Sequence, residues 1–308
     1  LEFILMTLIL FFEQLLNGLQ FGIMLFLMSA GLTLIFGVMG LINLAHGSFY
    51  MIGAFCAALI AGLTGSFWLA LLGSLIGAAI AGVLIEIIII RRLYRRDHLD
   101  QVLATFALIL LLSEGVRWIF GAFPLYLNIP NILNGSIPLF FEIIYSKYRL
   151  FIILIGFLVA VGLYLLITKT RLGIRIRAGQ NDRQMISALG IDISKLYTIV
   201  FAIGAGLAGL AGAMIGAIQS VEVGMGEPIL ILAFVVIVIG GIGSIKGAFI
   251  GSLLVGVTDT LGRVFLPNFL KIFMEPANAT SMGSSIGSML IYILMALILI
   301  MKPSGLFG

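Results

Sequence analysis

Apolar runs close to or beyond the ~20 residues of a membrane-spanning helix follow one another along most of this chain, parted only by short polar breaks. Such a chain cannot fold around a single aqueous core. Its charged residues are 10% of the total and its mean hydropathy is +1.26, whereas a soluble domain carries ~25% charge. The runs lack the alternating pattern of a membrane β-barrel. A lipid-exposed segment must also satisfy its own backbone hydrogen bonds, which leaves the α-helix. The expected fold class is all-α, a polytopic transmembrane helical bundle forming one domain over residues 1–308.

Nine spans are expected, with eight to ten as the bracket: 14–37, 45–64, 67–90, 101–120, 149–168, 196–218, 228–244, 247–266 and 286–301. Residues 1–12 are also apolar and read as a further turn of the first span, an interfacial helix or a separate short span. They carry no basic leader, so the opening segment is expected to be retained. Cys56, in an apolar run, reads as a packing residue.

Nine spans put 91–100, 169–195, 245–246 and 302–308 on one side. There stand Arg91, Arg92, Arg95, Arg96, Lys246, Lys302 and the six basic residues of 169–195; opposite are Lys147, Arg149, Arg263 and Lys271. The positive-inside bias makes the richer side cytoplasmic. The pI near 9.3 therefore reports orientation, and no nucleic-acid partner is expected. Arg117 lies inside a span with Glu114 one turn away, and Asp259 precedes Arg263 by one turn, so both read as intrahelical pairs.

The outer connections 121–148 and 267–285 hold Pro124, Pro130, Pro138, Pro267 and Pro276. Leu125, Leu127, Ile129, Ile132 and Leu133 make the first of them apolar for an aqueous loop. It reads either as a loop folded back on its own helices or as an external landing platform. Small residues recur every fourth position at Gly204, Ala208, Gly212 and Gly216 and at Gly73, Gly77 and Ala81, a spacing that lets helices approach closely, mainly within one chain.

Polar residues within apolar sequence mark candidate sites. Asn43, His46 and Ser48 fall where an unsatisfied polar group is costly. They suggest a helix broken between the first two spans to line a translocation path; alternatively, His46 bonds a backbone carbonyl inside the bundle. The glycine-rich segment with Gly240, Gly241 and Gly243 is a second such interruption. His46-Gly47-Ser48-Phe49 parallels Lys246-Gly247-Ala248-Phe249, a short match that hints at an internal repeat. Glu222, at the outer mouth beside Glu227, is a candidate for guiding an ammonium group, and a solvated loop carboxylate is the plainer alternative.

The polar island 169–195 is the main docking candidate. Asn181 is expected to cap a short helix, Asp182 to sit at its positive end, and Gly190 to end it. Met185, Ile186 and Leu189 give that helix an apolar face, and two turns cannot persist in water without a partner surface. An ordinary positive-inside loop containing a helical turn is the plainer reading.

No catalytic constellation, metal cluster or cofactor site is visible. None of the six lysines follows a glycine, so there is no P-loop. ATP, if used, is bound by another polypeptide.

The segments GLTLIFGVMGLINLAHGSFYMIGAF (31–55), RLGIRIRAGQNDRQMISALGID (171–192) and VIGGIGSIKGAFIGSLLVG (238–256), with the ending KPSGLFG, resemble the permease subunits of bacterial ABC importers for branched-chain amino acids. The resemblance covers nearly the whole chain. It implies a non-enzymatic, multi-pass subunit of the bacterial inner membrane. It also implies two ATP-binding subunits, a second related permease (or a second copy) and a periplasmic or lipid-anchored solute-binding protein. By the same resemblance 181–190 is the coupling helix, with Gly173, Arg177 and Ala178 in its lead-in. The Glu-Ala-Ala triplet common in importer coupling motifs is absent here. Urea, short amides or another small solute remain alternative substrates. An ATP-independent facilitator, or a membrane enzyme using His46, are the readings from other classes.

Overall fold

The computed structural model describes residues 2–94, 96–139 and 143–307, with side chains from Thr7 onward except that of Arg183. Arg95 of the expected cytoplasmic cluster, the side chain of Arg183, and residues 140–142 of the expected outer loop lie outside the described set. Helix α1 (Glu2–Met39) precedes α2 (His46–Thr64) and α3 (Phe67–Ile85), which runs on through a π turn (Glu86–Ile90) into α4 (Arg91–Leu93). There follow α5 (His98–Phe120), a hairpin of β1 (Ser136–Pro138) and β2 (Ile144–Ser146), and α6 (Lys147–Lys169). The chain continues with α7 (Arg171–Asn181), α8 (Arg183–Ala188), α9 (Ile193–Gly216), α10 (Gly226–Gly240), α11 (Ile245–Leu270) and α12 (Pro276–Met301).

Among the described residues eight helices are long and apolar enough to span a membrane. The ninth expected span, 228–244, is the 15-residue α10, about 22 Å long at ~1.5 Å per residue and short of a full crossing. Residues 2–12 belong to α1, because nothing from Glu2 to Asn17 is a glycine or proline that would stop it.

Helices α1 and α9 form the centre, and nearly every residue of each central stretch is buried. Outer helices show apolar side chains, such as Leu103 and Phe106 on α5, Leu154 and Phe157 on α6 and Ile293 and Leu297 on α12. In lipid these are solvated.

The small-residue columns are used within the chain. A Cβ at Gly212 would lie 2.0 Å from the Tyr50 carbonyl oxygen, one at Gly204 within 3.0 Å of the Gly31 backbone, and one at Gly77 2.8 Å from Cys56 Sγ. The expected ion pairs form: Arg263 Nε bonds both Asp259 oxygens at 2.9 Å, and Arg117 meets Glu114 at 2.6 Å.

The first outer connection folds back on the bundle. Leu127 is buried, Ile129 and Leu133 pack on the core, and Leu125 pairs with Val221 through backbone hydrogen bonds of 3.0 and 2.8 Å. Ile132 alone of the five apolar residues points fully outward.

Candidate functional site

The segments assigned to the basic side gather at one end of the bundle. Arg91 donates to Thr198 at 2.8 Å, Gly243 lies against Gly37, and Gly305 packs on Gly241. The island is built there from two helices. Thr170 caps α7 by accepting from the Gly173 amide at 3.1 Å. Gly173 allows the sharp reversal, since a Cβ there would stand 2.2 and 2.3 Å from the last carbonyls of α6.

The capping expectation needs correction. Asn181 is the last residue of α7, and Asp182 is the cap of α8, its carboxylate accepting from the Gln184 and Met185 amides at 2.9 Å each. Asp182 is extended, with φ −150° and ψ 105°, the conformation a capping residue adopts. Ala178 closes α7 by accepting from the Asp182 amide at 2.9 Å, and Gly190, at φ +81°, ends the element. A second correction concerns the apolar face. Met185 and Leu189 are 58% and 72% exposed, but Ile186 is 3% exposed and turned into the bundle. Ile186 points ~100° around the helix from Met185, and that side of α8 lies against the bundle. The α8 element thus pins itself down by Ile186 and presents Met185 and Leu189 outward.

Beside it, Arg177, Gln180, Gly243 and Lys246 line an inner cavity of about 220 Å³. Asp192, which caps α9, accepts from the Lys195 amide at 3.1 Å, and this bond holds its carboxyl below the ordinary value.

Sequence reasoning missed Glu86. Its carboxylate is wholly buried at the basic end of α3, bonded by Arg91 at 2.9 and 3.1 Å, by Thr198 at 2.8 Å and by Tyr94 at 3.0 Å. It ties α3 to α9 directly behind the island. A lone carboxylate within LIEIIIIRR was the available signal.

The chain is broken between α1 and α2, where Gly40 has φ +64° and residues 40–45 are non-helical yet largely buried. Gly37 rests on Gly243, just past the end of α10, whereas Gly47 rests on Gly226, its first residue. The intervening chain therefore runs the length of α10, about 22 Å, inside the bundle. Asn43 Oδ1 accepts from the Ala45 amide at 3.1 Å, but Asn43 Nδ2 and both His46 ring nitrogens have no hydrogen-bond partner among the described residues. The Met28 backbone lies near His46 without reaching hydrogen-bond geometry. Ser48 is buried in the first turn of α2.

Each of the two similar tetrapeptides lies in the first turns of a helix that packs on α10. Gly47, in the first turn of α2, rests on one end of α10, and Gly247, in the first turn of α11, on Gly240 at the other, both at backbone contact. Gly240, Gly241 and Gly243 form the α10–α11 elbow, where Gly241 and Gly243 have φ +99° and +82°. The C-terminal Leu306 and Phe307 amides bond Ile239 and Gly240 carbonyls at 2.8 and 3.0 Å. At the opposite end of the bundle Glu222 is exposed, accepts from Ser220, and borders a cavity of about 430 Å³.

The profile of the family described as "Branched-chain amino acid transport system / permease component" matches residues 14–299. The chain belongs to this family. It is 31% identical to the high-affinity branched-chain amino acid transport system permease protein BraD of Pseudomonas aeruginosa, over 97% of this chain and 96% of that one. It is 28% identical to the permease protein LivH of the same kind of system in Escherichia coli, over 97% and 96%. A probable LivH of Methanocaldococcus jannaschii is 28% identical over 92% and 89%. No solved structure gives a significant match. The family and the apolar helices make this chain a multi-pass membrane permease component of a transport system, which has partner subunits.

Proposed function

We propose that this permease is one of two related transmembrane subunits of an ATP-driven importer for branched-chain amino acids in the bacterial inner membrane. Two separate subunits bind and hydrolyse ATP, and an external solute-binding protein delivers substrate. Segments 91–100 and 169–195 and the C-terminus face the cytoplasm, where the basic residues collect. The relatives named for branched-chain substrates support that class.

One observation carries the coupling role. The capped element α8 is fixed to the bundle by Ile186 while Met185 and Leu189 stand exposed at the basic end, an apolar pair left uncovered among the described residues. It docks in a groove of the ATPase and passes its movement through α7 to α1 and α9, with Gly173, Arg177, Ala178 and Asn181 in the lead-in. The Glu86 clasp stiffens the same end. The broken segment with Asn43, His46 and Ser48 and the elbow of Gly240, Gly241 and Gly243 flank α10 on the substrate path. These two irregular stretches change shape as the bundle alternates its access.

The test replaces both Met185 and Leu189 by Asp. Because both are exposed, the chain melts as the wild type does, while ATP-driven leucine uptake by the reconstituted complex falls at least tenfold, the effect of losing more than ~1.4 kcal/mol at an apolar contact. A facilitator would keep its flux, and unchanged uptake would overturn the coupling assignment.

A further inference from the structure

The cavity near Glu222 lies at the end of the bundle opposite α8, bordered by α1, α2, α6 and the turn into α10. Its volume of about 430 Å³ falls in the ~300–1,000 Å³ range of small-molecule sites. Two opposite charges line it. Arg149, in the first turn of α6, donates to Asn17 of α1, and Glu222 accepts from Ser220. No salt bridge joins either of them to any group among the described residues. Ile215 and Ile229 supply apolar wall, and the cavity reaches down to the start of α10, where the Gly47–Gly226 contact closes the bundle.

We propose that this cavity binds a free α-amino acid as its zwitterion, carboxylate at Arg149, ammonium at Glu222 and apolar side chain against Ile215 and Ile229. The inference rests on the importer reading above and gives it an external binding site in the permease. Opposite charges share one cavity yet are each held by a neutral partner instead of by each other. A ligand with no net charge and two separated charges satisfies both. An amine or a carboxylate alone leaves one charge uncompensated, and urea or a short amide leaves both. The positive end of α10, whose first turn borders the cavity at Pro228, adds to the field at a carboxylate.

The test uses the full chain purified with its partner subunits, with Cys56→Ala to remove the native thiol and Gln219→Cys as reporter. Gln219 is exposed on the cavity wall, and its replacement is labelled by a maleimide. Leucine slows this labelling. Isoamylamine and isocaproate, each lacking one charged group, protect at least about tenfold less well, as the loss of a charge-assisted hydrogen bond requires. Glu222→Gln and Arg149→Gln remove the protection by leucine, and Arg149→Lys restores part of it. A thermal melt of each variant separates this from unfolding. Protection that is absent, or equal for leucine and isoamylamine, overturns the site. Because labelling needs no ATP, that failure is distinct from a failure of ATP-driven uptake, which would sink the importer reading instead.

Discussion

Replacing Gly53 by alanine tests how the centre of the bundle is held. Gly53 lies mid-way along α2 against Gly209 of α9, and an added Cβ would stand 2.1 Å from the Gly209 Cα, 2.5 Å from its oxygen and 2.6 Å from its carbonyl carbon. Ordinary contact begins at 3.4 Å, so the helices must part by 3.4 − 2.1, or 1.3 Å. All three obstructing atoms are backbone, so no rotamer change relieves them. The neighbouring Gly212–Tyr50 contact is equally tight, at 2.0 Å, and is lost with the separation. In lipid, where such close packing is a main source of helix association, the cost belongs at the upper end of overpacking, ~3 kcal/mol. At ~2–4 °C per kcal/mol for domains of similar order this is a fall in melting temperature of roughly 6–12 °C. Gly62→Ala is the control on the same helix, since a Cβ there meets nothing within 4 Å and alanine gains ~0.5–1 kcal/mol of helix preference. The assay is thermal unfolding of the full-length permease with its partner subunits in detergent. If Gly53→Ala melts like the wild type, or Gly62→Ala falls as far, the argument from backbone contact is wrong.

The clasp at the basic end gives an ordering of stabilities. Arg91→Ala leaves the buried Glu86 carboxylate without its cation and costs up to ~3–5 kcal/mol, less whatever solvent reaches the partly exposed Arg91. The double variant Glu86→Leu with Arg91→Ala melts higher than Arg91→Ala alone, and the reverse order would refute the clasp. At the Asp192 cap the pKa is lowered, so its stabilising effect is fully present above the ordinary value of 3.8 and disappears as pH falls through the lower folded value. Hydrogen exchange at the Lys195 amide, corrected for its intrinsic pH dependence, should therefore lose protection only in that acid range; loss near neutrality would contradict the assignment. Asp182→Ala removes the α8 cap, a change worth ~0.5–2 kcal/mol locally, and raises exchange at the Gln184 and Met185 amides without lowering the global melt.

Hydrophobic runs and basic-residue asymmetry made the bundle, its ends and the polar island readable in the sequence, whereas the prolines of 267–285 misled, since Pro267 lies inside α11 and Pro276 starts α12. Lipid imposes one strong rule on such a chain: long apolar stretches become helices and charges stay outside. The same rule is blind to depth, which is why the 228–244 run passed for a full span although α10 is short and starts level with the beginning of α2. Capping chemistry suits asparagine and aspartate alike, and the sequence pointed to Asn181 where Asp182 caps α8. The geometry of the α7–α8 junction chose the carboxylate, and the side on which α8 packs buried Ile186 and left Met185 and Leu189 outward.

Composition and hydropathy by themselves determined that the chain is a helical membrane protein and that most of its cations gather in a few short polar segments. Only the tertiary structure decided which distant residues meet: Glu86 with Thr198, Gly47 with Gly226, Gly53 with Gly209, and Arg149 with Glu222 around one cavity. Hydropathy is a property of each residue's own surface and can be summed along a sequence. Contact depends on how helices cross, and that is set by small-residue packing between segments far apart in the chain.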